Sequence, residues 1–140
     1  MHSKTYLFLL LFIFFAACSP PDYGTRLAFG KAELYYTEHI TESEAIRLQQ
    51  YLQGSGTVDQ QPLSVQIDKQ EGTYQFKMVM VEGAEADEEN IQAARVTTGE
   101  LSEFVFHGAP VDFHFCDERL RTRMIIPYAG SLPKDDIVTE

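Results

Sequence analysis

Positive charge is scarce in this 140-residue chain: 11 Lys and Arg stand against 21 Asp and Glu, for a formal net charge of −10 at pH 7. A surface of that sign repels phosphate backbones, which argues against nucleic acid as a partner, and it repels anionic head groups as well. Cysteine is scarcer still, with only Cys18 and Cys116. If one of them is consumed by a modification, no internal disulfide can form, even in an oxidising compartment. Long apolar runs are missing: Tyr6 to Phe15 falls well short of the roughly 20 residues that span a membrane. Motifs with built-in chemistry are missing too. There is no phosphate loop, no HExxH and no dinucleotide fingerprint. Gly54-Ser55-Gly56 lacks the spacing of a nucleophile elbow, and the acids between Gly83 and Asn90 do not follow an EF-hand loop.

What is present at the N-terminus reads as export. His2 and Lys4 give a mildly basic start, Tyr6 to Phe15 form an apolar core, and Ala16-Ala17 precede Cys18. The run Phe14-Phe15-Ala16-Ala17-Cys18 resembles the lipobox of a bacterial lipoprotein, with Phe15 where Leu is commonest. That resemblance implies removal of residues 1–17 as a signal peptide and acylation of the Cys18 thiol by a diacylglycerol. Ser19 follows the cysteine, and no Asp is there to retain the protein at an inner membrane, so the outer membrane of the cell envelope is expected. Cleavage takes away Lys4 and no acid, so the mature chain is more acidic than the whole. Attachment must then come from acyl chains rather than from charge.

Residues 18–30 hold two of the prolines and two glycines without periodicity and read as a tether. Residues 31–127 read as one α+β domain, and 128–140 as a flexible acidic tail. Ala32, Leu34 and Tyr36 alternate as a strand. Thr41-Glu42-Ser43-Glu44 is a capping box, followed by Ala45, Leu48, Tyr51 and Leu52 at helical spacing. Leu63 to Ile67 and Thr73 to Val81 alternate around a turn at 68–72, a hairpin. Ile91, Ala94, Thr98, Leu101, Phe104 and Val105 form a second helical stripe. Val111 to Cys116 and Arg121 to Ile126 complete the pattern as strands. The order β-α-β-β-α-β plus one strand predicts a ferredoxin-like split βαβ sandwich, with an antiparallel-dominated sheet and two helices on one face.

Alternation then selects an open face, with Glu33, Tyr35, Gln66, Gln75, Lys77, Asp112, His114 and Cys116 on it. Among these, Tyr35, Lys77, Asp112, His114 and Cys116 are the candidate binding residues. Val79 and Val81, apolar on that same side, point to partial cover. Asp112, His114 and Cys116 are also conceivable zinc ligands, but alternate strand positions stand nearly 7 Å apart at about 3.3 Å per residue. As a nucleophile and base, His114 and Cys116 would point in parallel, which is poor geometry. His39, just before a helix cap, reads as solvated. Phe113 is expected in the core and His114 outside it, so that truncating His114 would change stability by no more than about 0.5 kcal/mol.

The stretches Glu33-Leu34-Tyr35-Tyr36-Thr37, Gly72-Thr73-Tyr74 and Val105 through Asp117, above all VFHGAPVDFHFCD, resemble a group of small bacterial domains. The resemblance implies a recurring domain and transfers no catalytic residue, ligand or cofactor. The expectation is a non-enzymatic interaction domain, without cofactor or metal, held to a membrane by its N-terminal lipid. Its open sheet face would meet a protein partner or a second copy. The alternative is a periplasmic metal-handling lipoprotein using Asp112, His114 and Cys116.

Overall fold

The computed structural model of the chain describes residues 22–59 and 61–130. The expected signal peptide, Cys18 and the part of the expected tail from residue 131 onward lie outside the described residues. Six strands and two helices follow in the order β1 (Thr25–Phe29), β2 (Ala32–Tyr36), α1 (Glu42–Gly54), β3 (Leu63–Gln70), β4 (Thr73–Val79), α2 (Glu88–Glu100), β5 (Val111–Cys116) and β6 (Thr122–Ile126).

Local chemistry sets most of these boundaries. The Thr41 hydroxyl accepts from the Glu44 amide at 3.2 Å, and the Glu44 carboxylate accepts from the Thr41 amide at 2.8 Å, so the capping box closes as its sequence predicts. Asp87 caps α2 by accepting from the Glu89 amide at 2.9 Å. Glu71 and Gly72, with φ of 51° and 82°, make the two-residue turn between β3 and β4. Positive φ at both central residues matches the right-handed twist of the strands they join.

The strands lie side by side in chain order, β1-β2-β3-β4-β5-β6. β1–β2, β3–β4 and β5–β6 pair antiparallel, while β2–β3 and β4–β5 pair parallel. This corrects the expected topology in two respects. The sheet is mixed rather than antiparallel-dominated, and neither βαβ unit is split, because each parallel pair is adjacent. The order of elements fixes that each helix crosses between parallel strands. It does not say whether the second unit inserts its strands into the first or adds them alongside.

A second correction concerns the tether. Thr25–Phe29, expected as linker, is an edge strand paired with β2 from Thr25↔Tyr36 to Phe29↔Ala32. Its exterior pattern hides it in sequence: only Phe29 of its five residues is buried. The third concerns α2, which ends in a π-helical turn at Leu101–Val105. The Phe106 amide reaches back to the Leu101 carbonyl, five residues earlier. The wider turn slips the helical phase. Phe104, expected in the stripe, is 66% exposed, and Ser102 and Phe106 are buried instead.

Both helices cover one face. Ala45, Leu48 and Leu52 of α1 and Ala94 and Leu101 at α2 enter one core with Leu34, Val65, Ile67, Phe76, Phe113 and Phe115 from the sheet. The rings of Phe76, Phe113 and Phe115 follow one another at 5.5 and 5.0 Å. Each such side chain contributes roughly 1.5–3 kcal/mol by leaving water. The two helices are also tied directly, since the Tyr51 hydroxyl donates to Glu100 and the Arg47 Nε donates to the Val105 carbonyl at 3.1 Å.

Candidate functional site

The strand registers assemble one transverse row on the helix-free face: Arg26, Tyr35, Gln66, Lys77, His114 and Ile125, each paired with the next across six strands. Their sequence neighbours Leu34, Ile67, Phe76 and Phe113 point the other way, into the core. Three of the five candidate binding residues, Tyr35, Lys77 and His114, thus fall in a single line. Asp112 and Cys116 flank His114 on β5.

Access along the row is uneven. Arg26 and Ile125 are exposed at its ends, Tyr35 and Lys77 are half-buried, and Gln66 and His114 retain only 8% and 5% of their exposure. Cys116 is fully buried. The expectation that His114 and Cys116 stand open therefore fails. Both lie on β5, flanked on each side by a strand: His114 between Lys77 and Ile125, Cys116 between Val79 and Thr122. His114 Nδ1 meets the Thr122 hydroxyl at 2.9 Å, and its Nε2 is buried without a partner. Burial, assisted by the nearby Lys77 charge, holds the imidazole pKa below its ordinary value against the opposing pull of Asp112. Burial likewise pushes the Cys116 thiol up. Its Sγ lies 3.6 Å from the His114 carbonyl and 3.9 Å from the Thr122 hydroxyl. Asp112 Oδ1 accepts from the Tyr128 amide at 2.9 Å. His114 and Cys116 both meet Thr122 while Asp112 is turned to Tyr128, and among the described residues no group of three His, Cys, Asp or Glu could hold a metal ion.

The other half of the face lies over β1 to β3. Glu33 accepts from Arg26 Nε at 3.0 Å and from the Ser64 hydroxyl at 2.9 Å. Burial works against that charge, but the bonds from Ser64 and Arg26 outweigh it and hold the Glu33 carboxyl below its usual range. Here the chain ahead of β1 folds back onto the face. The Tyr23 carbonyl accepts from Gln66 Nε2 at 2.9 Å, and the Tyr23 ring meets Tyr35 edge-on at 5.4 Å. Sequence reasoning missed Tyr23, because nothing in the aperiodic stretch ahead of β1 marks a return over the sheet. It also missed the pairing of His39 with Asp68, 29 residues apart, whose Nδ1 and Oδ1 stand 3.0 Å apart. The same Oδ1 accepts from the Thr37 hydroxyl and the Lys69 amide. Burial opposes the Asp68 charge, but these donors, Thr37 first, hold its carboxyl low. The pair lines a cleft of about 620 Å³ beside Asp22 and Glu38. A second cleft, about 730 Å³, opens beyond the ends of β4 and β5. Its cations are already engaged: Arg121 with Asp117 at 2.7 Å, and Arg123 with the Met80 carbonyl at 2.7 Å.

These groups make stability fall in two steps on acidification. His114 has a depressed folded pKa, so the unfolded chain takes its proton first. Unfolding free energy should drop as pH falls from about 6.5 through the folded value. Glu33, Glu44 and Asp68, all depressed, contribute stability above their unfolded values that is lost further down, below about pH 4.5. Urea midpoints of wild type and His114→Gln at about pH 7.5, 5.5 and 3, about one unit or more beyond the His and carboxylate reference values, separate the steps. The variant should lose the upper step and keep the lower one. An unchanged upper step would remove His114 as its source.

A mixed sheet with two helices on one face and a polar row on the other defines a small α+β domain. Residues 26–126, from within β1 to the last residue of β6, match the AF_1994_N family N-terminal domain. The match covers well over half of the chain, and the chain belongs to that family. No curated protein and no solved structure matches it.

Proposed function

We propose that the chain is a bacterial lipoprotein, held to the cell envelope through Cys18, whose folded part is a non-enzymatic interaction domain. Its working surface is the helix-free face of the sheet. The observation that carries this reading is the one-sided cover: α1 and α2 pack against one face only, and the other presents Arg26, Tyr35, Lys77 and Ile125 to solvent in one row. The thiol chemistry supports the non-enzymatic side of the reading. Cys116 is buried and held protonated, whereas a nucleophile needs an accessible thiolate. The anchor reading rests on Ala16-Ala17-Cys18 behind the apolar run. Among the described residues no helix is long and apolar enough to cross a membrane. The absence of Asp after Cys18 favours the outer membrane.

Fractionation after Cys18→Ala tests the anchor. The wild-type chain should sediment with membranes and resist extraction by high salt, which screens charge but not acyl chains. The variant should accumulate unprocessed or leave the membrane. A variant that matures to wild-type size and stays membrane-bound would contradict the proposal.

A further inference from the structure

We infer that β1 pairs antiparallel with β1 of a second copy of this chain, across a twofold axis at Leu27, so that two six-stranded sheets join into one. This edge is separate from the helix-free face, and the inference does not depend on the anchor.

The two outer edges of the sheet are unlike. β6 is followed at once by exposed Pro127, its register with β5 breaks between Phe115 and Cys116, and Arg123 reaches back to the Met80 and Val81 carbonyls. Such features keep an edge strand from pairing further. β1 has none of them. It pairs with β2 without a break from Thr25 to Phe29 and holds no proline or lysine. Its one charge, Arg26, is bonded to Glu33. Among the described residues no strand lies beyond β1, and Thr25, Arg26 and Ala28 are exposed.

The turn after β1 fixes which backbone groups are open. Gly30, with φ of 57°, and Lys31 join Phe29 to Ala32 in a two-residue turn, so that pair exchanges both of its ladder bonds. Bonded and non-bonded pairs then alternate along the strand. The N–H and C=O of Thr25, Leu27 and Phe29 turn toward β2, and those of Arg26 and Ala28 turn outward.

A second copy satisfies these outward groups in one register. With the axis at Leu27, Arg26 of each copy lies opposite Ala28 of the other, and the two pairs exchange all their outward bonds. Gly24 of each copy then meets Gly30 of the other, so no side chain collides at the ends. An axis at Arg26 would set two guanidinium groups opposite each other and draw in Gly24, outside the strand. An axis at Ala28 would carry Arg26 opposite Gly30, in the turn. On the helix side, half-buried Leu27 meets its own copy and extends the layer it forms with Phe29 and Leu34. The strand Thr-Arg-Leu-Ala-Phe holds no acid in a chain of net charge −10, so no carboxylates of β1 oppose one another there. A foreign extended segment would fill the same bonds. The twofold fit, Arg against Ala and Gly against Gly, singles out a second copy.

The test uses the full chain, expressed in two differently tagged forms and treated in the membrane with a mild oxidant. Cys116 is buried, and the wild type sets the background. Leu27→Cys should give a disulfide-linked dimer carrying both tags, at several-fold the wild-type level, because a non-bonded pair has Cα atoms about 4.5 Å apart, within disulfide range. Ala28→Cys should link several-fold less, since its Cα atoms stand about 8 Å apart across the axis, beyond the roughly 7 Å limit. Adding Ala28→Pro to Leu27→Cys removes an outward N–H from each copy and leaves the β1–β2 ladder intact. It should abolish the link without moving the urea midpoint. No link above wild type, equal linking at 27 and 28, or a link that survives Ala28→Pro overturns the inference. Linkage of Leu27→Cys to a different protein overturns the second copy as occupant. Should Ala28→Pro lose the fold, the contrast between positions 27 and 28 decides alone.

Discussion

Phe113→Ala should lower the unfolding free energy by about 3–5 kcal/mol, the usual range for truncating a buried aromatic. Phe113 sits between Phe76 at 5.5 Å and Phe115 at 5.0 Å, in the middle of the sheet, with helices over it. The space it leaves lies between the sheet and the helices, so a cavity term adds to the lost transfer energy. His114→Ala, one residue on and facing the opposite way, should lose about 1–3 kcal/mol. That is more than an exposed strand position would lose, because His114 is 95% buried and bonded to Thr122. It is less than Phe113, because truncation also removes the unpartnered Nε2. Urea unfolding of the two variants in parallel checks the pair. A His114 loss below about 0.5 kcal/mol would restore the solvent-facing assignment. A Phe113 loss equally small would deny β5 a buried face.

Gly24→Ala should cost about 2–4 kcal/mol and free the start of β1. Gly24 has φ of +97°, and an added Cβ would stand 2.2 Å from the Tyr36 carbonyl oxygen and 2.7 Å from its carbon. The obstacle is backbone of the neighbouring strand, so no rotamer change relieves it. The ceiling on the loss is the free energy of peeling β1 away, since an edge strand can leave while β2 to β6 stay paired. Hydrogen exchange at Leu27 and Phe29, with urea unfolding, reads both effects. Protection there should fall sharply, and the contact of Tyr23 with Tyr35 should be lost with it. Wild-type protection and an unchanged midpoint would mean that β1 does not enter the sheet at Gly24 as described.

What the sequence revealed tracks how local each signal is. The capping box at Thr41 and Glu44 depends on four residues and was legible outright. So was the alternation of Val111 to Cys116, which placed Phe113 and Phe115 in the core. Periodicity failed where the backbone changed pitch, and the π turn carried Phe104 out of the stripe. It failed again at β1, whose Thr-Arg-Leu-Ala-Phe lies at an edge and buries too little to show a pattern. Topology was beyond reach because strand neighbours are chosen by contacts between distant segments. Split and side-by-side βαβ units share one order of elements. Tyr35, Lys77 and His114 were found on the right face by alternation alone. Their falling in one row needed the registers, and the burial of His114 and Cys116 depends on flanking strands distant in sequence. Tyr23 and the His39–Asp68 pair carried no sequence signal at all.

The proposed anchor, on which the proposed function depends, is open to one direct measurement, the intact mass of the protein extracted from membranes, with fragmentation of its N-terminal peptide. The account predicts a chain that begins at Cys18, with that residue carrying a diacylglycerol on its thiol. A chain that begins at Met1 or at Ser19, or a Cys18 of unmodified mass, would contradict it.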